Sequence, residues 1–187
     1  MSIVENKPLI LLDADETLWH TLDSLPKSTK ESTLKQISDM GLEVLDFYLP
    51  DFFSYGGCVP HYRTVVRPYA IEFINNVKLL GYSVKILTAA TQDYAEEIVK
   101  LGGYGIDKYD IISRDDGYHN NKLGGRFESV PRILIDDLPE THKNTQKKLK
   151  FLGDNTTLLN ISSFNPETFS KNVSENPFKS IFEIITA

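Results

Sequence analysis

Cysteine is nearly absent: Cys58 is the only one in 187 residues, so no internal disulfide can form and the chain suits a reducing compartment. Also missing is any apolar run near the ~20 residues needed to cross a bilayer. The first residues, MSIVENK, lead straight into a strand-like run and lack the pattern of a signal peptide. Together these absences predict a cytoplasmic protein, and the sequons at Asn155, Asn160 and Asn172 then read as coincidence. Positive charge is in short supply. With 20 basic against 26 acidic residues the net charge is −6, which argues against general nucleic-acid binding. The one basic cluster, residues 143–150 (KNTQKKLK), reads as the solvated face of a helix. No GxxxxGK[ST] loop, no GxGxxG after a strand and no metal-spaced Cys/His set is present, so kinase, dehydrogenase and zinc-enzyme readings lack support.

What is present alternates. Residues 8–13 (PLILLD) form a short continuous apolar run, the mark of a strand covered on both faces. Residues 68–80 carry Ala70, Ile71, Phe73, Ile74, Val77 and Leu80 at helical spacing, with Gly81 as the stop. Further strands are expected at 83–87, 109–112, 132–135 and 157–161, and further helices at 92–101 and 139–149. A terminal helix is expected to close the chain within residues 165–187. Strands alternating with helices of this length imply an α/β fold, a doubly wound parallel sheet in one domain spanning residues 1–187. Residues 18–62 interrupt the pattern. They offer one possible helix at 28–40, then a stretch rich in Phe and Tyr with turn formers, and read as a small insertion too short to be a domain.

In open parallel sheets ligands bind beyond the carboxyl ends of the strands. Chemically capable residues cluster there. The first strand ends Asp13-Ala14-Asp15-Glu16-Thr17, where residues two apart share a face. The strand at 83–87 ends at Thr88, followed by Ala89, and the strand at 132–135 ends in the pair Asp136-Asp137. Lys122 lies in the segment leading to that last strand. Adjacent carboxylates repel unless a cation offsets them, and hard oxygen ligands with open positions suit Mg²⁺.

These four elements, in this order, resemble the motifs of the haloacid dehalogenase (HAD) superfamily. More locally, LLDADETLW, VVRPYAIEFI, VKILTAATQDYA and RILIDDLPE are similar to its compact branch. That branch holds the phosphatases of the RNA polymerase II carboxy-terminal domain and the small magnesium-dependent phosphatases. The resemblance covers roughly residues 8–160 and departs at Asp137, where the polymerase-domain phosphatases usually carry Asn, and in the longer residues 18–62. It implies a phosphomonoester hydrolase working through an aspartyl-phosphate. Asp13 is then the nucleophile and Asp15 the acid and base, while Thr88, Ala89 and Lys122 hold the phosphate. It further implies Mg²⁺ held by Asp13, the carbonyl of Asp15, and Asp137, with Asp136 in support. The expected partner is a phosphomonoester, whether nucleotide, other small molecule or phosphopeptide, with no membrane. A 5′-nucleotidase of the same superfamily is the nearest rival, and a silent phospho-ligand binding module the rival from another class.

Other residues have plainer readings. Lys108, Arg126 and Arg132 compete with Lys122 for the phosphate. Asp115-Asp116 reads as a turn, with Arg114 near the site rim. Trp19 and His20 are expected either to pack beneath the insertion or to touch substrate, and Arg67 to anchor the helix that follows it. Phe47, Phe52 and Phe53 read as the insertion's own core, while Tyr48, Tyr55, His61 and Tyr62 are candidates for its rim.

Overall fold

The computed structural model describes residues 7–24, 29–49, 61–116, 130–169 and 176–187. Its centre is a parallel sheet of β1 (Leu9–Leu12), β5 (Val84–Leu87), β6 (Ile111–Ile112), β7 (Arg132–Asp136) and β8 (Thr156–Asn160). Their spatial order is β6-β5-β1-β7-β8. The chain thus steps outward from β1 one way and then restarts on β1's other side, so the direction of winding reverses between β1 and β7. That reversal opens the crevice in which α/β sheets of this type bind ligands.

Period-two geometry sorts the apolar run of β1 onto two faces. Ile10 and Leu12 join the larger core with α2 (Ala70–Leu79), α3 (Gln92–Leu101) and α5 (Pro177–Thr186). Leu9 and Leu11 join Leu87, Ile112 and Leu134 beneath Phe151 and Leu152 of α4 (Lys143–Leu152). All four β1 residues are buried, as the continuous apolar run requires. α2 starts two residues later than its spacing predicts, because Tyr69 adopts a left-handed backbone (φ 68°) before the first turn. α4 starts four residues later than expected, with the His142 ring accepting from Asn144 N–H at its start.

The insertion is ordered around a second sheet. β2 (Trp19–Ser24), β3 (Val44–Tyr48) and β4 (His61–Val66) form an antiparallel sheet in the order β2-β4-β3, with α1 (Glu31–Asp39) between β2 and β3. Phe47 does not belong to a separate small core. It stacks on Tyr62 at 5.5 Å, meets Tyr94 of α3, and joins the main cluster. An amphipathic three-stranded sheet has one apolar face to cover, and the nearest apolar surface is that of the main domain. Tyr48 is exposed and stacks on His61, which bonds Asp46. Phe52, Phe53, Tyr55 and Cys58 lie outside the described residues.

Candidate active site

β1 pairs with β7 so that Leu12 faces Ile135, and the Asp13 N–H donates to the Ile135 carbonyl at 2.9 Å. The next residues on the two strands are therefore Asp13 and Asp136, side by side at the point where the winding reverses. On its other side β1 pairs Leu12 with Ile86, which brings the end of β5 and buried Thr88 to the same edge of the sheet. Ala89 is exposed in the turn beyond, and the Thr88 hydroxyl accepts from Ala90 N–H, fixing that turn.

Carboxylate oxygens of Asp13, Asp136 and Asp137 lie within 4.8 Å of one another. Burial pushes the Asp13 carboxyl up to about 7, with Lys148 pulling it back and Asp136 and Asp15 adding to the rise. Burial also raises Asp15, which accepts from the Trp19 indole N–H at 3.1 Å, and Asp137, where neighbouring Asp136 contributes. Three gathered hard oxygens in a partly buried crevice fit Mg²⁺, which neutralises them without demanding a complete protein cage. The two members of the acidic pair are placed differently. Asp136 is fully buried, accepting from Leu138 N–H through Oδ1 and from Lys148 through Oδ2. Asp137 is half-buried and is held by the hydroxyls of Thr17 and Ser163, which leaves it the more open of the two.

The basic cluster is where the sequence reading needs correction. Lys143, Lys147 and Lys150 are exposed as expected, but Lys148 is buried. Its Nζ lies 2.6 Å from Asp13 Oδ1 and 2.6 Å from Asp136 Oδ2. Burial alone would lower the ammonium, but Asp13 and then Asp136 outweigh it and hold it above its ordinary value. The signal lay in the spacing: Thr145, Lys148, Phe151 and Leu152 are the buried residues of α4 and share one helical face. A lysine at a core position of an amphipathic helix is seldom solvated, because its charge must find a partner.

The turn after β1 is braced from three distant places. Glu16 has φ 66°, a left-handed conformation costly for a residue with a Cβ. Its carbonyl accepts from Arg67 and from Phe164 N–H. Arg67 also donates to the Thr17 carbonyl and to Ser162, and its guanidinium lies over the rings of Phe164 and Phe178. Arg67 therefore does more than anchor α2: it ties the turn after β1 to the exit of β8 and to α5. The Thr17 hydroxyl completes the brace, accepting from Asp137 N–H and donating to its carboxylate. Trp19 is fully buried, edge-on to Tyr104, so it packs and orients Asp15.

Asp115 and Asp116 serve local structure: one accepts from Gln92 N–H at the start of α3, the other from Ser113. Lys108 lies over the Tyr109 ring and Arg132 bonds Thr156. Lys122 and Arg126 lie outside the described residues.

A five-stranded parallel sheet with an Asp-rich switch-point crevice defines a HAD-like fold. Residues 8–172 match the model of the NLI interacting factor-like phosphatase family, and the chain belongs to that family. Among solved structures it is similar to Fcp1, described as an essential RNA polymerase II CTD phosphatase, with a TM-score of 0.59 and 19% identity over 86% of this chain and 43% of that one. It is also similar to fission yeast Fcp1 bound to beryllium fluoride, with a TM-score of 0.59 and 18% identity over 97% of this chain and 50% of that one. The chain thus spans half or less of the length of these structures. A search of curated proteins found no match. Among the described residues, no helix is long and apolar enough to cross a membrane.

Proposed function

We propose that the chain hydrolyses a phosphomonoester in two steps through a phosphorylated Asp13. The observation that carries this reading is the meeting of Asp13, Asp136 and Asp137 at the switch point of a phosphatase-family fold. In the first step an Asp13 oxygen attacks phosphorus, the bond to the ester oxygen breaks, and Asp15 delivers a proton to the departing alkoxide. Burial supports that role, since it keeps the Asp15 proton to a higher pH than an ordinary aspartate would. In the second step Asp15 takes a proton from water, which attacks the phosphorus and releases Asp13. The backbone at Ala89 and the Thr88 hydroxyl lie at the strand end where phosphate oxygens need donors, and Lys122 is the further cation that the family pattern offers. Asp13, Asp137 and the Asp15 carbonyl would hold Mg²⁺, with Asp136 behind them, and the ion would supply charge stabilisation at the phosphoryl oxygens.

The test is hydrolysis of p-nitrophenyl phosphate with and without Mg²⁺, run beside an Asp13→Asn variant. Metal-dependent phosphate release lost in the variant is expected, and equal activity in the variant would remove the covalent route. Because the similar solved structures are described as acting on the polymerase carboxy-terminal domain, phosphopeptides come first in a substrate screen, with nucleotides and sugar phosphates beside them.

A further inference from the structure

We propose that Lys148 is a resident cation of this site, a positioning residue that holds Asp13 and competes with the metal for the charge of the carboxylates. The inference rests on the hydrolytic reading above and adds to it a residue that lies after the acidic pair, on α4, where the HAD-like pattern supplies no cation.

The geometry leaves little freedom. Asp13 and Asp136 follow Leu11 and Leu134 by two residues on their strands, so their side chains point to the face that α4 covers. On α4, Lys148 occupies the buried stripe with Thr145, Phe151 and Leu152. Thr145 donates to the Leu138 carbonyl, and Asn160 donates to the carbonyls of Asp136 and Leu138, so helix and strand end are fastened together. The lysine stem crosses the apolar layer and its ammonium emerges between the two carboxylates, 2.6 Å from each. One oxygen of Asp13 is thereby held, and the other is left for phosphorus or metal. Asp136 has both oxygens engaged, by Lys148 and by Leu138 N–H, which explains why its neighbour Asp137 is the more open ligand.

Four carboxylates gather here: Asp13, Asp15, Asp136 and Asp137. A fixed positive charge among them does two opposed things. It makes the metal-free site affordable by pairing two buried anions. It also lowers the negative potential that draws in a divalent ion, since like charges a few ångströms apart in a half-buried site repel strongly. Removing Lys148 therefore strengthens metal binding while it weakens catalysis, because Asp13 loses its anchor and the developing phosphoryl charge loses a nearby cation. A lysine that merely fills space would move neither quantity in that pattern.

The experiment is a titration of Mn²⁺ into the metal-free protein without substrate, followed by calorimetry or electron paramagnetic resonance, for wild type, Lys148→Met and Lys122→Gln. Methionine keeps the apolar stem beside Phe151 and Leu152 and removes the charge. Lys148→Met is expected to bind Mn²⁺ at least ~10-fold more tightly than wild type, and to lose ~10²-fold in kcat at saturating Mg²⁺. Lys122→Gln is expected to leave Mn²⁺ affinity within about threefold of wild type, since only Lys148 is proposed to set it. Unchanged or weaker Mn²⁺ binding by folded Lys148→Met overturns the proposal, even if wild type proves an active phosphatase. Should Lys148→Met fold only when Mn²⁺ is added, the metal is standing in for the ammonium and the proposal holds; failure to fold with or without Mn²⁺ counts against it. A wild-type protein that neither binds Mn²⁺ nor hydrolyses ester removes the proposal together with the reading it rests on.

Discussion

Asp13 and Asp15 sit two residues apart yet face different surroundings, and each environment carries a separate expectation. Asp15 accepts from Trp19 and is raised by burial, as suits a group that gives up a proton and then recovers it. Replacing Asp15 with Asn is expected to slow turnover by ~10²–10⁴-fold on an alkyl phosphate. The loss should be smaller on p-nitrophenyl phosphate, whose leaving group needs no proton. Single-turnover rates on the two esters check this, and equal losses would argue against an acid role. Within the acidic pair, Asp137→Ala should weaken metal binding directly. Asp136→Ala strips Lys148 of one of its two partners and should lower thermal stability more than it lowers Mn²⁺ affinity; a calorimetric titration beside a melting curve separates the two effects. The acidic motifs were legible in the sequence because residue type and strand-end position together announce them. Lys148 was not, since a run of lysines looks solvated until the helix is rotated so that Phe151 and Leu152 face inward.

At the scale of elements, the parallel strands were readable from their continuous apolar runs, and their observed bounds differ from the expected ones by a residue or two. The starts of α2 and α4 were not, because Tyr69 and His142 lack the short Ser, Thr, Asp or Asn side chain of a usual helix cap, whereas α3 begins at Gln92 as expected. The insertion was foreseen as an interruption but not as a sheet, since β4 runs on to Val66, past the residue 62 at which the interruption was expected to end. Its inner face, with Phe47 and Tyr62, packs against Tyr94 at the start of α3, close behind Thr88 and Ala89. Asp15 acts on Tyr94 electrostatically, and burial lifts that phenol to about 12. The small sheet is thus joined to the helix that follows Thr88 and Ala89. Replacing residues 50–60, which connect β3 to β4, with a Gly/Ser linker is expected to change the ranking of phosphopeptide, nucleotide and sugar-phosphate substrates while p-nitrophenyl phosphate is still hydrolysed. An unchanged ranking in side-by-side kcat/KM measurements would move selection elsewhere, such as to residues 114–121.

For the whole molecule, gathered carboxylates give stability an unusual dependence on pH. A carboxyl whose folded value lies above its unfolded one binds protons more readily when folded. The stability it contributes is complete below the unfolded value and is lost as pH rises through the folded one. Asp13 is such a group, with an ordinary value of 3.8 raised to about 7. The metal-free protein is therefore expected to lose stability between about pH 4 and about pH 7 relative to Asp13→Asn, which cannot ionise there. Melting temperatures of the two proteins without metal should diverge across that window and converge again when Mg²⁺ is added to wild type. A constant difference would mean that Asp13 is not stressed by its burial.

Arg67 ties the turn at Glu16 and Thr17 to Ser162 and to the ring of Phe178. Along the sequence these partners lie far apart. The turn that follows the first acidic residues is therefore fastened by groups that come long after it in the sequence. A truncation after residue 160 would keep Asp13, Asp15, Asp136 and Asp137 and remove the Ser162 and Phe178 groups that Arg67 holds. The aim of the first carboxylates thus depends on packing contacts remote from them in sequence.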